Sequence, residues 1–140
     1  MDERRNLEIL ETVLRRIDNN YIKIKFWSPH CHLYYYRNKC WEDSGIKGPL
    51  FFFGRNKIPH NRIIILNKDN IQNWSILLND SVGYKINEDF IIIKRGNGPI
   101  CYGLWFAKMM DAVYFAKLLD IFNKHKNQVD LLFDRLKIGR

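Results

Sequence analysis

The chain has 140 residues, 46% of them hydrophobic, which suffices for one domain with a core able to fold alone. Lysine and arginine number 23 against 15 acidic residues, and the net charge of +8 admits an acidic or nucleic-acid partner without specifying one. No apolar run approaches the ~18 residues of a membrane span, MDERRN lacks an apolar h-region, and the three cysteines lack zinc spacing, so a reduced, soluble, intracellular protein is expected.

A helix is predicted over 4–17, where Leu7, Leu10, Leu14 and Ile17 recur at spacings of three and four. Such a stripe either closes one end of the domain or is offered to a partner, and the pattern serves both readings equally. From Tyr21 the period drops to two. Tyr21, Lys23 and Lys25 alternate with Ile22, Ile24 and Phe26, as in a strand with one dry face. Ser28-Pro29 reads as an interruption, and the strand resumes from His30 to Tyr36. Arg37-Asn38-Lys39 form a polar turn into Cys40-Trp41, and Gly45 and Gly48 break the next segment before Pro49-Leu50-Phe51-Phe52-Phe53. Further short strands are predicted at 63–66, 74–78, 90–94 and 100–106, with turns at 67–70 and 87–89 and a hairpin loop at Gly96-Asn97-Gly98-Pro99.

Beyond 106 the character changes again. Met110, Ala112, Phe115, Leu118, Leu119 and Phe122 fit one buried helical face. Val129, Leu132, Phe133 and Leu136 form a second amphipathic piece, either a separate helix or a bent continuation. The fold expected is mainly β with helices, a small barrel or sandwich of six to eight mostly antiparallel strands plugged by a C-terminal helix, as in pleckstrin-homology-like domains.

Groups for catalysis are sparse. There is no P-loop and no GxGxxG, and the adjacent carboxylates Glu42-Asp43 and Glu88-Asp89 fall in predicted turns, where they point apart into water. No glutamate cluster on a helix offers to hold a phosphate-bridging magnesium. His30 and His32 lie two apart on a strand, but a metal site would need Cys40 or His60 from elsewhere, which is a weak zinc signal. A binding protein rather than an enzyme is expected, with no cofactor, no metal and no small-molecule substrate.

The aromatic residues carry the stronger signal. Phe51, Phe52 and Phe53 alternate faces, so at least one enters the core while the others cover a helix or line an edge. Trp27 and Trp74 read equally as core or packing residues. Tyr34, Trp41 and Trp105 each lie near a strand end, where a ring can stand half exposed. A trough of such rings fits a polyproline II segment, with an indole N–H donating to a peptide carbonyl. Alternatively, Trp105 completes the core beneath the C-terminal helix. The trough also suits single-stranded RNA, with Arg37, Lys39, Lys47 and Arg55 as the basic residues, although the rings lack the spacing of an RNP motif.

Taken together, LYYY ending at Tyr36, the turn to Trp41, IKGPLFFF ending at Phe53, IIILN ending at Asn67, FIIIKR ending at Arg95 and YGLWF ending at Phe106 resemble the Dcp1-like decapping-activator family over roughly 6–122. The resemblance implies one EVH1/PH-like domain over 1–140, with about seven antiparallel strands in a barrel (21–106), an N-terminal docking helix (1–20) and a C-terminal capping helical region (107–137). It implies a non-catalytic partner that binds and activates the Nudix hydrolase Dcp2, which removes the 5′ cap of messenger RNA. By position, the hydrolase would dock on the helix bearing Leu7, Leu10 and Leu14, and proline-rich enhancer peptides would lie on Tyr34, Trp41 and Trp105. Asn67 and Arg95 match family positions as turn-capping and surface contacts. A cytoplasmic location, including processing bodies, and weak RNA contact are further expectations, with no membrane partner. The alternative is an EVH1-type scaffold for proline-rich signalling or cytoskeletal proteins, and a lesser one is an RNA-binding module.

Overall fold

The computed structural model describes residues 3–69, 71–79, 82–95 and 100–136. The glycine-rich loop at 96–99 and the side chains of Arg95, Val129, Leu132, Phe133 and Leu136 lie outside the described residues. Helix α1 (Glu3–Ile17) is followed by strands β1 (Tyr21–Arg37), β2 (Cys40–Arg55), β3 (Asn61–Ile65), β4 (Trp74–Leu77), β5 (Val82–Asn87), β6 (Phe90–Arg95) and β7 (Cys101–Phe106), and by helix α2 (Met109–Leu136).

All seven strands form one sheet in the order β4-β3-β2-β1-β7-β6-β5, and each pairing is antiparallel. Two meanders, β1 to β4 and β5 to β7, are joined where β7 pairs with the second half of β1. The sheet curls strongly, because Trp74 on β4 and Tyr102 on β7 meet with ring centroids 5.2 Å apart although three strands separate theirs.

Ser28-Pro29 does not interrupt β1. The strand runs through it with a bulge between Ser28 and Cys31, and pairing to β7 starts only at Cys31. Proline is tolerated there because an irregular ladder does not require its missing N–H. Gly45 and Gly48 likewise lie inside a continuous β2. The turn at Asn38-Lys39 is as expected for a two-residue hairpin, with φ of 54° and 62° matching the twist of the flanking strands. Strand β5 has no counterpart in the elements read from the sequence.

One core lies inside the curl. Leu33, Leu50, Phe52, Ile63, Ile65, Ile91, Ile93, Leu104 and Phe106 are buried there with Ala112, Phe115 and Leu119 of α2. Phe115 is the plug, its ring 5.5 Å from Phe106, 5.9 Å from Phe26 and 6.2 Å from Phe52. Helix α2 is a single continuous element rather than two, and Met110 stands 58% exposed instead of in the buried stripe. Ser28 Oγ donates to Asp111 Oδ2 at 2.7 Å and so ties the bend of β1 to the first turn of α2.

A second cluster lies on the outside of the sheet under α1, where Leu14 packs with Tyr21, Phe51, Phe53 and Ile64. This explains the triple phenylalanine. Phe52 points into the curl while Phe51 and Phe53 point out beneath the helix, so all three are buried.

Candidate functional site

The period of two fixes which residues face outward on the half of the sheet that α1 leaves uncovered. In the β1–β7 register, His32 stands beside Trp105, Tyr34 beside Gly103 and Tyr36 beside Cys101. On the other side of β1, Lys47, Asp43 and Trp41 of β2 neighbour His32, Tyr34 and Tyr36. The intervening Leu33 and Leu104 are buried in the core. Tyr34, Trp41 and Trp105 therefore share one face of three adjacent strands.

The rings form a chain. His32 stacks on Tyr34 at 4.4 Å, Tyr34 approaches Phe90 at 6.1 Å, Phe90 meets Trp41 edge-on at 5.5 Å, and Trp41 meets Tyr36 at 5.0 Å. Gly103 is the floor. A Cβ there would run into the Phe90 ring and would stand 2.8 Å from Cζ3 of Trp41, so only the bare backbone lets both rings settle over β7. Trp41 and Trp105 remain 40% and 39% exposed on this face.

Phe90 was not among the candidate residues, although it joins Tyr34 to Trp41. The signal was the β6–β7 hairpin itself, in which Phe90 is the register partner of Trp105. Trp105 is not beneath α2; it stands at the end of the row. Its indole Nε1 donates to Asp89 Oδ2 at 3.1 Å, so the N–H expected to reach a ligand carbonyl is engaged within the domain. A further chain fixes Tyr34. Its hydroxyl lies 3.3 Å from His32 Nδ1, and His32 Nε2 lies 2.8 Å from Asp43 Oδ1. The Gly45 amide and His32 together hold the Asp43 carboxyl below its usual range.

The α1 side has a different character. Leu14 is completely buried, so it belongs to the core of this domain and not to a docking surface. Leu10 is half-buried against the same cluster, Leu7 is half-buried, and Ile9 is 55% exposed. Between α1 and the sheet lies a hollow of about 300 Å³ walled by Ile9, Leu10, Trp27, Pro29, Pro49 and Lys68, among others. Tyr21 anchors the helix by donating to Glu11 Oε2 at 2.8 Å, and burial together with that carboxylate pushes the phenol up to about 12.

The Dcp1-like decapping family matches residues 6–121 of the chain. The chain belongs to that family. Among its relatives, mRNA-decapping enzyme 1B of Mus musculus is 25% identical over 114 residues, which are 80% of this chain and 20% of the mouse protein. The human mRNA-decapping enzyme 1A is 29% identical over 79 residues, 56% of this chain and 13% of the human protein. The chain thus matches a fifth or less of the length of these relatives. The Dm DCP1 EVH1 domain, solved in complex with the XRN1 DBM peptide, shares the fold with a TM-score of 0.77 at 21% identity, covering 89% of this chain and 93% of that one. The crystal structure of Dcp1p gives a TM-score of 0.69 at 22% identity over 79% and 92% of the two chains.

The four basic residues of this Dcp1-like domain do not form one patch. Arg37 is paired with Glu42, Nη2 to Oε2 at 2.9 Å, and Lys39 is exposed in the adjacent turn. Lys47 lies 3.6 Å from Asp69 near the middle of β2. Arg55, at the far end of β2, is not a surface cation. Its side chain is only 10% exposed, Nε meets Asp18 Oδ2 at 2.7 Å, and Nη1 donates to the Pro59 carbonyl at 2.6 Å. Asn67 does cap its turn: its backbone N–H donates to Asn73 Oδ1 at 2.9 Å, and its side-chain oxygen accepts from the Asp69 amide at 3.1 Å. Among the described residues, no three His, Cys, Asp or Glu side chains converge as metal ligands.

Proposed function

We propose that this domain is a non-catalytic regulatory subunit of an mRNA-decapping complex. It binds and activates a Dcp2-like Nudix hydrolase through the α1 side and takes proline-rich enhancer peptides on the aromatic face. The observation that carries the reading is the pair of outward tryptophans, Trp41 and Trp105, set around the Gly103 floor in a member of the Dcp1-like family. Rigid rings on a strand scaffold offer large contact area at little entropic cost, which suits a polyproline II segment already extended before it binds. The Dm DCP1 domain of the same fold was solved with a peptide bound, which supports a peptide-binding role for this one.

The docking surface is revised by the burial of Leu14. Ile9 and half-buried Leu10 beside Trp27 offer the partner apolar surface, with Leu7 on the adjoining turn. A hydrolase held there shifts its own conformational balance toward a cap-engaging form only insofar as this domain binds that form more tightly. The cytoplasm and its processing bodies are the proposed location, and RNA contact is weak because the basic residues are dispersed.

The test is cap release by the Dcp2-like hydrolase of the same organism at fixed enzyme concentration, with and without this protein. A rise in rate that Ile9→Asp and Leu10→Asp abolish is the expected result, with circular dichroism confirming that both variants fold. If the folded wild-type protein leaves the rate unchanged yet still binds proline-rich peptides, the activator reading fails and the EVH1-type scaffold takes its place.

A further inference from the structure

Beyond Trp105, away from Tyr34 and Trp41, the outer face dips into a hollow of about 230 Å³. Its walls are His30, Cys31, His32, Lys47, Gly48, Lys68 and the indole of Trp105, and among the described residues no carboxylate lines it. The polar groups of this wall are unequal. His32 has both nitrogens occupied, by Tyr34 and by Asp43. Lys47 is partly neutralised by Asp69 at 3.6 Å. Lys68 differs from both.

The Lys68 ammonium donates to His30 Nδ1 at 3.1 Å, and because lysine carries no acceptor, the imidazole nitrogen must be the acceptor there. Lys68 therefore spends a hydrogen bond on a neutral group and keeps its charge uncompensated, with no carboxylate within ion-pair distance among the described residues. Its position is built into the backbone. The Lys68 N–H donates to the Lys47 carbonyl at 3.0 Å, and a Cβ at Gly48 would overlap the Leu66 carbonyl, so glycine is what lets the 66–68 segment lie against β2.

We propose that this hollow is a subsite for an acidic side chain, a carboxylate or a phosphoryl ester, of the same peptide whose apolar part lies on Tyr34, Trp41 and Trp105. The inference rests on the peptide reading above and extends it from proline-rich to proline-rich with an adjacent negative charge. Two observations favour a peptide over RNA. The hollow is continuous with the aromatic face through Trp105, which belongs to both, and its charge is one compact focus rather than a track of phosphate spacing. Binding exchanges the Lys68–His30 hydrogen bond for a charge-assisted one, with Lys47 as the second donor.

The experiment is fluorescence anisotropy with the full chain and labelled proline-rich peptides that differ only at one flanking residue, Asn, Asp or phosphoserine, placed at either end of the core. The Asp or phosphoserine peptide is expected to bind about three- to fivefold more tightly than the Asn peptide, the size of a partly exposed ion pair, and to lose that advantage in high salt. Lys68→Gln should remove the advantage, bringing the Asp and phosphoserine peptides down to the affinity of the Asn peptide for the same variant. The ratio of the Asp to the phosphoserine peptide tells which acid the hollow takes. If all peptides bind equally, the subsite is refuted while the peptide reading stands; if none binds, both fall. If Lys68→Gln instead weakens a single-stranded oligouridine and leaves the peptide ratios alone, the hollow serves RNA and the proposal is overturned.

Discussion

Tyr34 and His32 are stacked with their ring planes 24° apart, and the tyrosine hydroxyl turns back to the imidazole of the residue on which it lies. Asp43 grips the opposite nitrogen, so a candidate ligand-binding ring is oriented by a carboxylate on the neighbouring strand that no ligand needs to touch. Asp43→Ala should free both rings. The expected result is a peptide affinity about fivefold lower, in line with one aromatic pair of ~1 kcal/mol, with little change in the denaturation midpoint. Peptide titration beside urea denaturation separates the two effects. An unchanged affinity would show that Tyr34 is held by Phe90 alone.

Gly103 gives the sharpest test of the aromatic face. In Gly103→Ala the new methyl meets the Phe90 ring and Cζ3 of Trp41, and both must move. Overpacking of this kind costs about 1–3 kcal/mol. The strands beneath are anchored by buried Leu104 and Phe106, so the domain should remain folded. Tryptophan fluorescence should shift and peptide binding should weaken about tenfold or more, since a tenfold change needs only ~1.4 kcal/mol of lost complementarity. If binding survives intact, Trp41 is not part of the ligand surface.

The distinction between Leu14 and Ile9 is the third test. Both lie on α1, yet Leu14 fills the cluster of Phe51, Phe53 and Ile64 while Ile9 projects beside Trp27 toward the hollow. Leu14→Ala should destabilise the fold by about 2–5 kcal/mol through the cavity it leaves. Ile9→Ser should change stability by no more than about 0.5 kcal/mol and instead weaken association with the hydrolase. Thermal melts and a pull-down with the purified hydrolase would read the two effects apart.

These contrasts mark what the sequence could convey. The turn at Asn38-Lys39 and the buried face of Ala112, Phe115 and Leu119 were legible because each depends on near neighbours in the chain. The single dry face expected for Ile22, Ile24 and Phe26 does not form: Tyr21 is buried, Ile22 is exposed, and register shifts put Ile24 and Phe26 against different clusters. The stripe of Leu7, Leu10, Leu14 and Ile17 on α1 was visible as well. That Leu14 is fully buried while Leu7 and Leu10 are half-buried and Ile17 is exposed depends on the outer faces of β2 and β3, which are remote in sequence. Phe90 was missed for the same reason. Its place between Tyr34 and Trp41 comes from the β6–β7 register and from the missing side chain of Gly103. Arg55 was misread because nothing local distinguishes a solvated arginine from one that meets Asp18, a residue 37 positions away. Strand β5 does alternate, Val82, Tyr84 and Ile86 against Gly83, Lys85 and Asn87, but the run is only six residues long and its side chains are largely exposed where described, so it does not read as one face of a core.

The Asp18 cluster makes the final prediction, one about pH. Asp18 is buried at the end of α1, where Arg55 Nε lies at 2.7 Å and Arg62 Nη1 at 3.1 Å from the same carboxylate oxygen. Burial alone would raise its pKa, but the hydrogen bonds from Arg55, the Asn20 amide and Arg62 outweigh it and hold the carboxyl below its usual value. A lowered folded pKa means that the stabilisation is fully present above the unfolded carboxylate value of about 3.9 and is lost as pH falls through the folded one. Asp18→Asn should therefore cost about 3 kcal/mol at neutral pH, the lower end for breaking a buried pair because Arg62 still reaches water. The gap between wild type and variant should be flat from pH 7 to 5 and narrow below about pH 4. Arg55→Met should be more damaging than Arg62→Met, since Arg55 is the more deeply buried and donates to the Pro59 and Lys57 carbonyls, whereas Arg62 donates to Ser75 Oγ but leaves its buried Nε without a partner among the described residues. Urea denaturation of the three variants from pH 3 to 7 provides the measurement, and a gap that stays constant down to pH 3 would show that Asp18 does not carry the acid limb.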